Sequence, residues 1–257
     1  MSLVRTVAAG DLSVRIFDDV HEMGRAAAVD GAQAIREAIA ERGAANVMLA
    51  TGNSQLEFLA ALVTHTDLDW SCVTAFHMDE YVGLPPTHSA SFQRYMRERV
   101  AARLPFREFN YLTGDTGDAQ AEADRYAALL RALPLDLCCC GIGENGHLAF
   151  NDPPVADFDD PLAVKIVALE PASRRQQVAE GHFATVADVP THAITVTIPA
   201  LLRARRVLAI VPEARKAVPV RDALQGPITT ACPASVLRRQ PHAILYLDAE
   251  SSSLLDS

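Results

Sequence analysis

Cys140-Gly141-Ile142-Gly143-Glu144-Asn145-Gly146-His147-Leu148-Ala149-Phe150-Asn151-Asp152-Pro153 follows an apolar run, residues 135–140, with the length and composition of a buried strand. Gly141, Gly143 and Gly146 break that run, so a strand ends in a tight polar loop. Glycines let backbone amides approach a ligand with no Cβ in the way, and His147 is the nearby side chain that exchanges a proton near neutral pH. Asp152 follows closely enough for the loop to fold back and orient the imidazole with a carboxylate, as acid/base histidines often require. The stretch reads as an active-site loop; the plainer reading is a glycine turn with a surface histidine.

Outward from this loop the strand-loop-helix order recurs. Residues 14–17 form a short apolar run closed by Asp18 and Asp19, good N-caps, and a helical pattern then covers 20–42 and stops at Gly43. Residues 47–50 are a second strand, ended by Thr51-Gly52-Asn53-Ser54, after which Leu56, Phe58, Leu59, Leu62 and Val63 follow a helical stripe. Such units build a parallel sheet, and ligands bind where a strand's carboxyl end leads into a helix N-terminus. Residues 51–54 are therefore a candidate phosphate cradle, although an ordinary capped turn has the same composition. The loop is neither a Walker loop nor a dinucleotide fingerprint.

A third strand, 72–76, runs into His77-Met78-Asp79-Glu80-Tyr81-Val82-Gly83-Leu84. Adjacent carboxylates at a strand's end repel each other, which favours one shifted pKa and a general base at Asp79 or Glu80; a solvated charged turn is the alternative. Further strands are expected at 164–169, 193–198, 207–211 and 243–247, with helices at 91–104, 119–133, 199–203, 213–224 and 234–239. Arg174-Arg175-Gln176-Gln177 opens another helix and reads as a solvated face. Lys216, just after a strand, could join a helix N-terminus in holding an anion, or simply be solvated. No linker or repeat interrupts the series. The expected architecture is a single doubly wound α/β domain over residues 1–257, a mostly parallel sheet with helices on both faces.

Hydrophobic residues at 49% and charged residues at 21% describe a chain that folds by itself. A net charge of −9 without a dense lysine or arginine block argues against a nucleic-acid partner, so an anionic substrate would need a local exception to the overall field. The N-terminus lacks an apolar signal region and no run approaches a membrane span, which gives an expected cytoplasmic location and no membrane partner. Of five cysteines, Cys138, Cys139 and Cys140 are adjacent and none forms a Cys-x-x-Cys pair, so they read as small buried hydrophobes and no metal site is expected.

Taken together, several of these stretches resemble the glucosamine-6-phosphate deaminase (isomerase) family. Thr51-Gly52-Asn53-Ser54 is similar to its phosphate loop, residues 78–84 to its catalytic-base segment and residues 141–153 to its histidine loop; Ala193-Ile194-Thr195-Val196 and Arg215-Lys216-Ala217 look like its C-terminal half. The resemblance implies conversion of glucosamine 6-phosphate and water to fructose 6-phosphate and ammonia, with no cofactor. It implies catalytic roles for Asp79, His147, Asn145, Asp152 and Glu80. It further implies substrate binding by Thr51, Gly52, Asn53, Ser54, Gly143 and Lys216, with Arg174 as the arginine chosen to reach the phosphate. Asn53 stands where many members have glycine, Asn145 where some have aspartate, and the family's arginine-rich phosphate segment is poorly matched at 173–178. The acidic stretch 157–160 replaces a basic one in allosterically activated members, so no activation by an N-acetylated sugar phosphate is expected. Homo-oligomers and monomers both occur in the family. The alternatives are 6-phosphogluconolactonase, whose carboxylate segment usually reads Asp-Glu-Arg rather than Asp79-Glu80-Tyr81, a related enzyme for another hexose phosphate, and a non-catalytic sugar-phosphate sensor.

Overall fold

The computed structural model describes residues 3–255. An antiparallel ribbon, β1 (Leu3–Ala9) and β2 (Leu12–Phe17), precedes helix α1 (Val20–Arg42). Asp19 caps that helix by accepting from the Glu22 N–H at 2.8 Å, and Gly43 closes it with φ of 74°, as the sequence leads one to expect. The chain continues through β3 (Ala45–Leu49), α2 (Leu56–Leu62), β4 (Val73–His77), β5 (Asp79–Tyr81), α3 (Phe92–Met96), β6 (Glu108–Asn110), α4 (Ala119–Ala132) and β7 (Leu137–Cys140). It ends with β8 (Val164–Ala168), α5 (Pro171–Ala179), β9 (His192–Val196), α6 (Ile198–Leu202), β10 (Arg206–Val211), α7 (Ala217–Gln225) and β11 (Ala243–Leu247).

Eight strands form the main sheet in the order β1-β2-β11-β10-β7-β3-β4-β6, parallel throughout except for the β1–β2 pair. From β3 the chain winds outward through β4 and β6, then returns to place β7 on the other side of β3 and winds outward again through β10 and β11. The reversal leaves a crevice over the carboxyl ends of β3 and β7, the position where open α/β sheets bind ligands.

Alternation along the buried strands supplies both faces. Val47, Leu49, Leu137, Cys139, Leu208 and Ile210 pack with α1 and α2, while Met48, Cys138, Cys140, Val207, Ala209 and Val211 pack with α4 and α7. The cysteine triplet is wholly buried, and burial pushes the Cys140 thiol up to about 12, so it is an inert apolar filler at the sheet's centre. The doubly wound, single-domain expectation holds.

One expectation needs correction. The strands at 164–169 and 193–198 do not extend the main sheet: β5, β9 and β8 form a separate antiparallel sheet in that order. The cause is local. After β4 only Met78 intervenes before β5, and the Met78 carbonyl accepts from the Val196 N–H at 2.8 Å, so the chain crosses from one sheet to the other within a residue. Tyr81 then anchors the small sheet among Phe92, Phe150 and Phe183, with ring centroids 5.0, 5.3 and 5.5 Å away. The helix expected over 91–104 is regular only as α3 and continues as a wider turn, residues 97–101. Strands β1 and β6, which the sequence reading did not anticipate, edge the main sheet. Among the described residues no helix is long and apolar enough to cross a membrane.

Candidate active site

The loops after β3 and β7 meet at the crevice, and an open cleft lies over them. Thr51, Gly52, Asn53 and Ser54 form its floor, with Gly52 at φ of 101°, a backbone state that favours glycine. The Tyr95 hydroxyl donates to the Gly52 carbonyl at 3.1 Å and pins the loop from below. Behind it Gln55 is fully buried and donates to the Ile210 carbonyl at 3.1 Å, tying the loop to β10.

Opposite stands His147. A Cβ at Gly143 would fall 2.1 Å from the imidazole Cε1 and Nε2, so the ring lies directly on the Gly143 backbone and only glycine admits it. The Nδ1 edge faces oxygens: Asn145 Oδ1 at 2.8 Å, Asp152 Oδ1 at 2.9 Å and Ser173 Oγ at 3.2 Å. Ser173 donates its own proton to Asp152 at 2.5 Å, and Asn145 donates to Asp152 at 3.0 Å and to Glu170 at 2.6 Å. With those protons committed, Nδ1 carries a hydrogen, and in a neutral ring Nε2, toward Gly143 and the cleft, would hold the lone pair. Burial would raise the Asp152 carboxyl, but the hydrogen bonds from His147, Ser173 and Asn145 hold it below its ordinary value, so it stays a carboxylate.

Asp79 and Glu80 are the clearest case of alternation deciding chemistry. On β5 successive side chains point to opposite faces. Asp79 lines the cleft, and among the described residues its carboxyl has no hydrogen-bond partner. Burial, reinforced by the charge of Glu80, pushes it well above the usual carboxylate range. Glu80 turns the other way and does not line the cleft: its carboxylate accepts from Ser91 Oγ at 2.8 Å and from the backbone N–H of Tyr81, Gln93 and Phe92 at 2.9, 2.9 and 3.3 Å. It caps α3. Glu80 thus faces away from the cleft where a catalytic group was expected, whereas Asp152 stands behind His147, in the orienting position the sequence suggested, with Asn145 beside it.

Lys216 enters from the turn after β10 and is buried, with its pKa lowered chiefly by that burial. The turn is strained: Glu213 holds φ of 82°, and across the cleft Ala149 holds 51°. Both are non-glycine residues in a left-handed conformation, of the kind that collects at ligand sites. Arg174 does not join this group. Its guanidinium donates to the Val186 and Val189 carbonyls, at 2.5 and 2.9 Å, and it stitches a loop instead of reaching the cradle.

The sequence reading missed the fourth wall. Ser173, Gln176, Gln177 and Glu180 recur at helical spacing along α5 and its end and face inward, so Gln176 and Gln177 leave the solvated face expected for residues 174–177. Gln176 donates to Glu180 at 2.8 Å and accepts from the Glu144 N–H at 3.1 Å. The Glu180 side chain is 5% exposed, and Arg215 Nη1 lies 2.6 Å from it. Against the cost of burial, bonds from His182 and Gln176 and the charges of Arg215 and Lys216 hold its pKa at about 2.

This is an α/β protein that gathers two titratable side chains, Asp79 and His147, a strand-to-helix loop at residues 51–54 and a buried lysine around one cleft at a topological switch point. The chain belongs to the family of glucosamine-6-phosphate isomerases and 6-phosphogluconolactonases, whose family model matches residues 18–246. It is 38% identical over 207 residues to a glucosamine-6-phosphate deaminase of Exiguobacterium sibiricum, covering 80% of each chain. With one from Bacillus thuringiensis the identity is 37% over 224 residues, 87% of this chain and 83% of the relative. Among solved structures, a monomeric glucosamine-6-phosphate deaminase superposes with a TM-score of 0.86 at 28% identity over 94% of this chain and 99% of that one. A 6-phosphogluconolactonase of Shewanella baltica shares the fold, with a TM-score of 0.75 at 22% identity over 96% of this chain and all of that one.

Proposed function

We propose that the protein is a glucosamine-6-phosphate deaminase, which opens the sugar ring, isomerises aldose to ketose and releases ammonia. The observation that carries this reading is the pairing, across one cleft, of an unbonded carboxyl at Asp79 with the free Nε2 of His147. Neutral His147 suits acceptance of the anomeric hydroxyl proton and its return at the ring oxygen, while Asp152 and Asn145 keep the tautomer fixed. Asp79 then takes the proton from C2 of the open chain and delivers it to C1. The enolamine becomes an imine at C2, water adds there, and ammonia leaves as fructose 6-phosphate forms. Thr51, Gly52, Asn53, Ser54, Gly143 and Lys216 hold the substrate, the hydroxyls, backbone amides and ammonium being suited to a phosphate dianion. These residues account for both proton transfers without a prosthetic group.

A lactone hydrolase needs one base to activate water and has no use for a second group that carries a proton between adjacent carbons. The two relatives at 37–38% identity are deaminases by name, and the 22% likeness to a lactonase speaks only to fold. The test supplies purified protein with glucosamine 6-phosphate and follows ammonia and fructose 6-phosphate, beside 6-phosphogluconolactone hydrolysis. Equal release of both products is expected. Lactone hydrolysis without ammonia release would replace this reading with the lactonase.

A further inference from the structure

Within the α5 wall, Gln177 differs from its neighbours. Gln176 has both ends of its amide engaged, and Glu180 and His182 are engaged with each other. Gln177 is 7% exposed and lines the cleft, yet one bond accounts for its side chain: the Tyr81 hydroxyl donates to Oε1 at 2.7 Å. The bond also settles which way the amide faces. Tyr81 is wholly buried and its hydroxyl proton has no other acceptor among the described residues, so turning the amide over would strand that proton. Among the described residues the Gln177 NH2 group thus has no hydrogen-bond partner, and the residue lines the cleft.

We propose that Gln177 is a specificity-determining residue whose amide, aimed by Tyr81, donates to a hydroxyl oxygen of the sugar chain between the reacting carbons and the phosphate. The proposal rests on the sugar-phosphate reading of the cleft. Tyr81 lies two positions beyond Asp79 on the same face of β5, about 6–7 Å along the strand. With the phosphate held at the 51–54 loop and Asp79 at C2, the Tyr81-aimed amide falls against the middle of the chain, at O3 or O4. The two N–H groups select an oxygen lone pair and are left unpaired when that oxygen is missing.

The experiment measures kcat and KM for glucosamine 6-phosphate, and Kd for glucosamine 6-phosphate, its 3-deoxy and 4-deoxy analogues and inorganic phosphate. The proteins are the wild type, Gln177→Leu, the near-isosteric Gln177→Glu and Tyr81→Phe, each checked for a cooperative thermal transition. For Gln177→Leu, kcat/KM is expected to fall about 10–100-fold, mostly through KM, with phosphate affinity unchanged. That penalty should vanish for one deoxy analogue and persist for the other. Tyr81→Phe should give a smaller KM effect of the same pattern, and Gln177→Glu serves if the leucine variant does not fold. Variants within threefold of the wild type, or an equal loss on both analogues and on phosphate, would overturn the proposal. A wild type that binds glucosamine 6-phosphate without turnover would sink the deaminase reading, while the same Kd series still decides Gln177. If the wild type bound no sugar phosphate, both would fall.

Discussion

Asp79 carries its consequence in its environment. A carboxyl raised by burial and by a neighbouring carboxylate must lose its proton before it can act as a base, so the acid limb of kcat/KM should lie above the ordinary aspartate range. Asp79→Asn should lose about 10²–10⁴-fold in turnover while still binding substrate. It should also melt higher than the wild type at neutral pH. The raised folded-state pKa means that stability declines as pH rises above the unfolded value of 3.8, and asparagine escapes that decline. The difference should close below about pH 4, and a Tm difference independent of pH would contradict it. Gly143 offers a steric counterpart. Because a Cβ there would meet the imidazole at 2.1 Å, Gly143→Ala should displace His147 and cost about 100-fold or more in kcat, with the circular dichroism spectrum retained. Asp79, His147 and the 51–54 loop were legible because each sits at a strand-to-loop boundary that composition marks, whereas Lys216 was singled out only by the family resemblance. Glu80 was not separable from Asp79 by composition; the face each occupies follows from β5 pairing with β9, a contact between residues more than a hundred positions apart.

Elements explain what single positions hide. The Ser91 hydroxyl and the Phe92 and Gln93 N–H groups at the start of α3 converge with the Tyr81 N–H of β5 on Glu80, so the helix and the strand bearing Asp79 are fastened at one carboxylate. Glu80→Ala should leave those donors buried and unpaired, costing about 2–4 kcal/mol and lowering Tm by roughly 5–15 °C in a thermal scan. A change under 1 °C would show that the cap is dispensable. Helix α5 shows how a sequence can misdirect: Arg174, Arg175, Gln176 and Gln177 look solvated in a row, whereas their helical spacing sorts them onto different sides. Gln176 and Gln177 turn inward with Ser173, and Arg175 is exposed. Following the polar stripe at its 3.6-residue period, rather than the composition of the run, would have pointed to a wet internal wall.

Across the whole molecule, a net charge of −9 surrounds a cleft whose buried cation is Lys216 beside Arg215. A phosphate-bearing ligand at about 100 times its Kd should stabilise the protein by about 2.7 kcal/mol, a rise of roughly 5–10 °C in Tm. Lys216→Ala should abolish most of that rise at the same ligand concentration, and an undiminished shift would remove Lys216 from the anchor. The doubly wound frame was readable from the recurring strand-loop-helix pattern. The small antiparallel sheet was not, because nothing in residues 164–169 or 193–198 says which sheet they join; that is decided at Met78. This seam divides the site between two bodies. The 51–54 loop, His147 and Lys216 ride on the main sheet, whereas Asp79 and the Gln177 wall ride on the small sheet and the helix between two of its strands. On the proposed reading one sheet would grip the phosphate and the other would carry the base, so the register between the two sheets, fastened where the Met78 carbonyl accepts from the Val196 N–H, would set which carbon of the chain meets Asp79.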